Sequence, residues 1–153
     1  MKRKGIIFLF VTLLITSGFI RELVFVNLNT IIINVKFNES YAYSHFFSFF
    51  SSFDYKTLYI LKWFLTTFFI GLFMFLQLKF SMFLFNEIYF KKWLIFFYVL
   101  LIVLATLSYL IGWLFNVNKE AYLISRLLLG LLQSPFPIIF LTPVNYFYKK
   151  NIS

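Results

Sequence analysis

Residues 122–148 read YLISRLLLGLLQSPFPIIFLTPVNYFY, and this stretch decides how the rest of the chain is interpreted. It is long enough to cross a bilayer, which takes about 20 apolar residues. Its apolar character is nevertheless interrupted by Arg126, Gln133, Ser134, Pro135, Pro137 and Pro143. Because an ionisable side chain inside a membrane segment is costly, it normally faces protein or water and not lipid. The stretch therefore predicts a membrane helix with one lipid-facing side and one polar side that needs partners.

The polar side of this helix has a helical period. At 100° per residue, Arg126, Gly130, Gln133 and Pro137 fall on one face. Pro135 and Pro137 each lack a backbone N–H, so they force a bend. One interpretation is a kinked helix whose freed carbonyls are met by neighbours such as Gln133 or Ser134. The other, which is compatible with the first, is a notch at mid-membrane where a partner or substrate helix docks.

The composition of the whole chain supports a membrane location. Of 153 residues, 62% are hydrophobic and 25% aromatic, whereas soluble domains are nearer half apolar. The formal net charge is +9, but the basic residues cluster beside apolar segments, which favours control of membrane topology over nucleic-acid binding. The chain has no cysteine and one histidine, which excludes disulfides, thiolate nucleophiles and Cys-based or His-rich metal sites.

The hydropathy pattern predicts an all-α, polytopic membrane protein built as a single domain over residues 1–153. Four transmembrane helices are expected, at about 5–26, 57–80, 93–115 and 122–148. The first is interpreted as a retained helix and not as a cleaved signal peptide, because no clear cleavage site of small residues follows it. Residues 27–56 are expected to connect the first two spans.

A short amphipathic helix is predicted inside this first outer loop. In residues 43–53, four phenylalanines recur at helical spacing with serines opposite them, a pattern typical of a helix lying in the membrane interface. The alternative is a loop folded over the helix ends.

The lysines and arginines give an expected orientation. Basic residues are more frequent beside the two termini and in the connection near residues 81–92 than on the opposite side. Because cytoplasmic segments carry the excess of Lys and Arg, we expect a multi-pass protein of the bacterial inner membrane with both termini in the cytoplasm.

The familiar catalytic and nucleotide-binding motifs are absent from the sequence. We find no Walker A motif, dinucleotide fingerprint, HExxH or GxSxG pattern, so no catalytic residue, cofactor or metal ligand is assigned. His45 and Asp54 in the outer loop are the one conceivable catalytic pair.

The charges inside the predicted spans form another hypothesis. Glu22 near the end of the first helix and Arg126 near the start of the fourth should lie at similar depth, so they are predicted to form an ion pair. The alternative is local, with Arg21 neutralising Glu22 and Arg126 reaching the headgroups alone.

Several short motifs resemble a known family, the small membrane proteins encoded beside exosortase F in Bacteroidota. The shared features are a basic start, an Arg with a Glu close by at the end of the first helix, an aromatic outer loop, and a last helix with an early Arg and two separated prolines. The matching positions are Arg21-Glu22, Ser125-Arg126, Gln133-Ser134-Pro135, and Pro143 before Tyr146-Phe147-Tyr148.

This resemblance implies an accessory role beside a membrane enzyme that processes exported proteins, without implying that this chain is the enzyme. We therefore expect a non-enzymatic subunit of an export and processing system, with a larger membrane protein such as an exosortase and the lipid bilayer as partners. Candidate interhelical or partner-binding residues are Arg21, Glu22, Arg126, Gln133, Ser134, Pro135 and Pro137. Two alternatives stay open: a small oligomeric transport or channel protein, and a membrane enzyme that uses His45 and Asp54.

Overall fold

A computed structural model describes residues 2–85 and 88–150, with side chains described from residue 5 to residue 147. The described part is helical and contains no strand, which confirms the predicted all-α class. Five α-helices and one 3-10 helix follow one another along the chain. They are α1 (Lys2–Phe37), the 3-10 helix (His45–Ser52), α2 (Tyr55–Phe85), α3 (Ile88–Leu114), α4 (Asn118–Leu132) and α5 (Phe136–Lys150).

Helix α1 is much longer than predicted. The expected end near residue 26 is wrong, because the helix continues without a break to Phe37. Its additional turns bury Leu28, Ile31 and Ile32 against Leu58 of α2 and Phe47 of the 3-10 helix. This burial outweighs the weak helix preference of β-branched residues. The helix ends at Asn38, whose φ of 56° lies in the left-handed region that terminates many helices.

The segment after α1 folds back onto it and caps one end of the bundle. Asn34 holds Tyr41 by two hydrogen bonds, because its Nδ2 donates to the Tyr41 carbonyl over 2.9 Å and its Oδ1 accepts the Tyr41 N–H over 3.0 Å. Asn27 Oδ1 accepts the N–H of Ser44 over 2.7 Å. The 3-10 helix that follows occupies the place of the predicted amphipathic helix, and its location in a membrane interface stays a prediction. We call this end of the molecule the capped end.

Helices α3 and α4 approach each other closely after a tight turn. Asn116 adopts a φ of 57°, which reverses the chain between them. A Cβ built on Gly112 would lie only 2.1 Å from the Cβ of Ala121, so only glycine fits there. Deeper in the same contact, the buried Ser125 hydroxyl donates to the Ala105 carbonyl over 2.7 Å.

The last apolar stretch forms two helices and not one kinked helix. Helices α4 and α5 are bent by 68° at a break of a few residues, so the bend expected from Pro135 and Pro137 is present, but it separates two helices instead of kinking one. Helices α1, α2 and α3 are each long and apolar enough to cross a membrane, and the bent pair adds a fourth span if it crosses as one broken segment. The helices are therefore compatible with a multi-pass membrane protein of three to four spans.

The packing is also typical of a chain surrounded by lipid. Large apolar side chains such as Phe8, Phe19 and Trp113 point outwards. The main core lies between α2, α3 and the bent pair, around Phe73, Leu94, Tyr98 and Leu132. Every buried side-chain nitrogen or oxygen in the described residues has a hydrogen-bond partner, which is what a medium without water demands.

Candidate functional site

The break between α4 and α5 is held by Gln77, a fully buried residue of α2. Its Nε2 donates to the Ser134 carbonyl over 2.7 Å, and its Oε1 accepts the N–H of Ile138 over 3.1 Å. One side chain thus satisfies a backbone acceptor before the bend and a backbone donor after it. Because an unsatisfied backbone group in lipid costs several kcal/mol, this amide is what makes the break tolerable.

Two further hydrogen bonds complete the break. The hydroxyl of Tyr98 on α3 donates to the Leu132 carbonyl over 3.2 Å at the end of α4. Ser134 uses its own hydroxyl, which donates to the Leu131 carbonyl over 2.7 Å and accepts the N–H of Phe136 over 3.2 Å. Pro137 lies in the first turn of α5, where a missing N–H removes no intrahelical bond. The two prolines therefore end one helix and begin the next.

Gln133 ties three helices together at the beginning of the break. Its Oε1 accepts a hydrogen bond from Nε of Arg21 on α1 over 2.9 Å, and its Nε2 donates to the Thr66 carbonyl of α2 over 3.1 Å. Gln133 is buried, whereas Arg21 is about three-quarters buried. These hydrogen bonds lie at the end of a cavity that is farther from the capped end, and we call this end of the cavity its floor.

This cavity, of about 820 Å³, lies between α1, α2, α3 and α4 on the side of the break nearer the capped end. We call it the cationic groove. The side chains that decide its character are Arg21, Glu22, Lys62, Thr66, Arg126 and Gln133. Most of the remaining wall is apolar or aromatic, and four of its members, Tyr59, Trp63, Tyr109 and Tyr122, are residue types enriched at membrane interfaces. Its volume falls in the range of small-molecule sites, about 300–1,000 Å³.

The charges of the groove are unbalanced. Nη1 of Arg21 forms an ion pair with Oε2 of the neighbouring Glu22 at 3.0 Å. Lys62 contacts the Tyr122 hydroxyl at 3.5 Å, a neutral partner at the limit of hydrogen bonding. Arg126 has no hydrogen bond or ion pair with any residue that the structure describes. Lys62 and Arg126 thus form no ion pair with a carboxylate in the described residues, because Glu22 of the same cavity is paired with Arg21.

The predicted ion pair between Glu22 and Arg126 is wrong. Both residues line the cationic groove, but Glu22 is paired with Arg21. The local pair wins because adjacent residues need no helix-helix approach to bring their charges together. The pair of Arg21 and Glu22 confirms one part of the alternative prediction, and Arg21 also binds Gln133. The reach of Arg126 to the headgroups stays a prediction.

The sequence-predicted site residues form two neighbouring groups. Arg21, Glu22, Arg126 and Gln133 line the groove, and so does Gly130, as the helical period predicted. The prediction that Pro137 shares this face is wrong, because Pro137 belongs to α5 beyond the break. The remaining three lie at the break: Ser134, Pro135 and Pro137.

Two functional side chains were missed. Gln77 is a lone amide in an apolar span, a signal for interhelical hydrogen bonding. Lys62 lies within the second predicted span and lines the groove.

His45 and Asp54 show no catalytic arrangement. Asp54 caps α2, because its carboxylate accepts the hydroxyl of Thr57 and, over 3.2 Å, the N–H of Lys56. The Thr57 hydrogen bond lowers the pKa of the Asp54 carboxyl below its ordinary value of 3.8. His45 is exposed at the start of the 3-10 helix. In the described residues, no three His, Asp or Glu side chains gather as a metal site would require.

The groove is therefore a largely apolar cavity with a net positive charge, which suits an anionic ligand. No family model, curated protein or solved structure matches this chain.

Proposed function

We propose that this chain is a non-enzymatic accessory subunit of an inner-membrane protein export and processing system of the exosortase type. The resemblance of its Arg-Glu, Ser-Arg and Gln-Ser-Pro motifs to proteins encoded beside exosortase F supports the choice of system. In this proposal the subunit has four spans, counting the bent pair as one, and both termini are cytoplasmic. The distribution of lysines and arginines supports that orientation.

The observation that carries the proposal is the uncompensated charge of the cationic groove. Lys62 is half-buried and Arg126 is exposed, both line the groove, and neither forms an ion pair with a carboxylate of the described residues. An anionic group supplied from outside the chain would balance these two charges. The proposed role of the groove is to hold such a group where the subunit meets a larger membrane partner.

The alternatives receive less support from the geometry. The hydrogen bonds from Gln133 join α1, α2 and α4 across the groove floor, an arrangement that suits a binding site better than a conduction path. Asp54 is engaged as a helix cap, and no hydrogen bond or ion pair joins it to His45 in the described residues, so an enzyme built on this pair has no supporting contact.

Affinity purification from native membranes tests the proposal. The tagged chain should retain, in mild detergent, one larger multi-pass protein at near-equal amounts, identified by peptide mass and then co-expressed with the chain. Arg126→Glu should reduce its recovery at least about tenfold, because a carboxylate in the groove repels the anion that Arg126 attracts. Lys119→Glu is the matched control, since Lys119 is exposed in the first turn of α4 and does not line the groove.

Two outcomes would contradict the proposal. If no stoichiometric membrane partner is retained, the accessory role is wrong. If the partner is retained equally by Arg126→Glu and Lys119→Glu, the groove does not contribute to the interface.

A further inference from the structure

We infer that the anionic group held by the cationic groove is the phosphate of a membrane lipid whose acyl chain lies along α2. The inference rests on the proposed role of the groove as an anion site and adds the chemical class of the ligand. It can be tested on the purified chain without any partner.

The first argument is the placement of the charges. Lys62 lies seven residues after the start of α2 and Arg126 eight residues after the start of α4, so each is about 10–12 Å along its helix. Both helices begin at the capped end, so the two cations stand at similar depth on facing helices. A single phosphate between them can accept charge-assisted hydrogen bonds from both. Arg21 at the floor is already occupied by Glu22 and Gln133.

The second argument is an independent apolar furrow that continues from the groove. It has a volume of about 480 Å³ and is lined by Phe64, Thr67, Phe68, Gly71, Leu72 and Phe75, all on α2. Thr67 lines both cavities, so the furrow adjoins the groove at this residue. At Gly71 a side chain would meet nothing within 4 Å, which leaves the furrow open.

The direction of the furrow matches the shape of a lipid. From Phe64 to Phe75 it follows α2 away from the capped end for about 16 Å, at 1.5 Å per residue. Lys62 therefore lies nearer the capped end than the furrow, and the mostly apolar furrow extends along α2 past the groove. An anionic headgroup with an apolar chain satisfies both ends, whereas a free phosphate satisfies only the first.

The groove rim fits the same ligand. Tyr59, Trp63 and Tyr122 surround the cations, and aromatic residues of these types place themselves at the level of lipid headgroups. A lipid phosphate between Lys62 and Arg126 thus stays at headgroup depth while its chain runs towards the bilayer centre. A bound lipid of this kind would complete the surface that the larger partner meets.

Native mass spectrometry of the purified chain is the test. Protein in neutral detergent is titrated with phosphatidylglycerol, with phosphatidylcholine, and with inorganic phosphate. We expect one phosphatidylglycerol per chain, retained at least about tenfold more tightly than phosphatidylcholine, because a zwitterionic headgroup brings no net charge to the cations. Inorganic phosphate should not displace the bound lipid, since it leaves the furrow unfilled.

Variants separate the two ends of the site. Arg126→Gln and Lys62→Gln should each weaken phosphatidylglycerol retention about tenfold, and Lys119→Gln should leave it unchanged. Gly71→Leu fills the furrow and should also weaken retention, although it removes no charge. Gly71→Leu therefore still tests the inference if a groove variant does not yield monodisperse protein.

Three results would overturn the inference. The first is the absence of a stoichiometric anionic lipid. The second is equal retention by wild-type protein and by the groove and furrow variants. The third is displacement by inorganic phosphate, which would indicate a site for free anions. Failure here together with groove-dependent partner recovery would leave the accessory role intact, and the reverse result would remove that role while keeping the lipid site.

Discussion

Arg21 and Gln133 are 112 positions apart in the sequence, and a hydrogen bond of 2.9 Å between them joins α1 to the end of α4. We expect the pair to be energetically coupled. In a double-mutant cycle with Arg21→Met and Gln133→Leu, the loss in free energy of unfolding should be non-additive by about 0.6–1.7 kcal/mol, the scale of polar contacts between membrane helices. The free energies of unfolding of the four proteins of the cycle, measured in detergent micelles, give this coupling energy.

The matched comparison is Glu22→Gln with Arg126→Gln. These residues line the same groove without forming an ion pair. Their effects should add within about 0.5 kcal/mol, as expected for groups that share no contact. Strong coupling between Glu22 and Arg126, together with additivity for Arg21 and Gln133, would contradict the arrangement described above.

Gln77 should be the most sensitive polar residue of α2. Gln77→Leu leaves the Ser134 carbonyl and the Ile138 N–H without their partner, so the free energy of unfolding should fall by about 1–3 kcal/mol. Ser81→Ala is the control, because the buried Ser81 hydroxyl bonds only within its own helix, to the Leu78 carbonyl. Equal and small losses in both variants would show that Gln77 does not hold the break.

The contact between Gly112 and Ala121 predicts a rescue. Gly112→Ala places two Cβ atoms 2.1 Å apart, so α3 and α4 must separate, at a cost of about 1–3 kcal/mol. Adding Ala121→Gly should restore most of the stability. Gly71→Ala, at an open position on α2, should be neutral or stabilising by up to about 1 kcal/mol. Thermal unfolding of wild type, Gly112→Ala, the double variant and Gly71→Ala measures these differences in stability. If Gly112→Ala is as stable as wild type, the close approach of α3 and α4 is wrong.

Asp54 should make the start of α2 sensitive to acid. A carboxyl whose pKa is lowered on folding stabilises the protein above the ordinary pKa, here 3.8, and this contribution is lost as the pH falls through the lowered value. Asp54→Asn keeps a capping side chain that does not titrate. Thermal midpoints from neutral to acidic pH should therefore converge for wild type and Asp54→Asn at low pH. Parallel curves over the whole range would contradict the cap.

The orientation can be tested with single cysteines in this Cys-free chain. Ser48 in the 3-10 helix and Tyr89 at the start of α3 are both exposed. If both termini are cytoplasmic, Ser48→Cys should react with an impermeant thiol reagent in intact spheroplasts, and Tyr89→Cys should react only after lysis. The reverse pattern would overturn the proposed topology.

By itself, the sequence determined the class of the protein and the face of α4 that carries its polar residues. Uninterrupted apolar runs allow few structures in lipid other than helices, because backbone groups there must bond within their own segment. The period of Arg126, Gly130 and Gln133 is equally local, since neighbours three or four positions apart share a helix face in any context.

Tertiary structure alone decided where α1 ends, what holds the break in the last stretch and which residue of α4 binds Arg21. Ile31 and Ile32 are helical because Leu58 and Phe47 cover them, and these residues follow far later in the chain. The bend after Leu132 is stable because Gln77 and Tyr98 satisfy its backbone groups from two other helices. Arg21 on α1 donates a hydrogen bond to Gln133, which lies 112 positions later in the chain. Each outcome depends on contacts between distant segments, and local propensity and periodicity carry no information about such contacts.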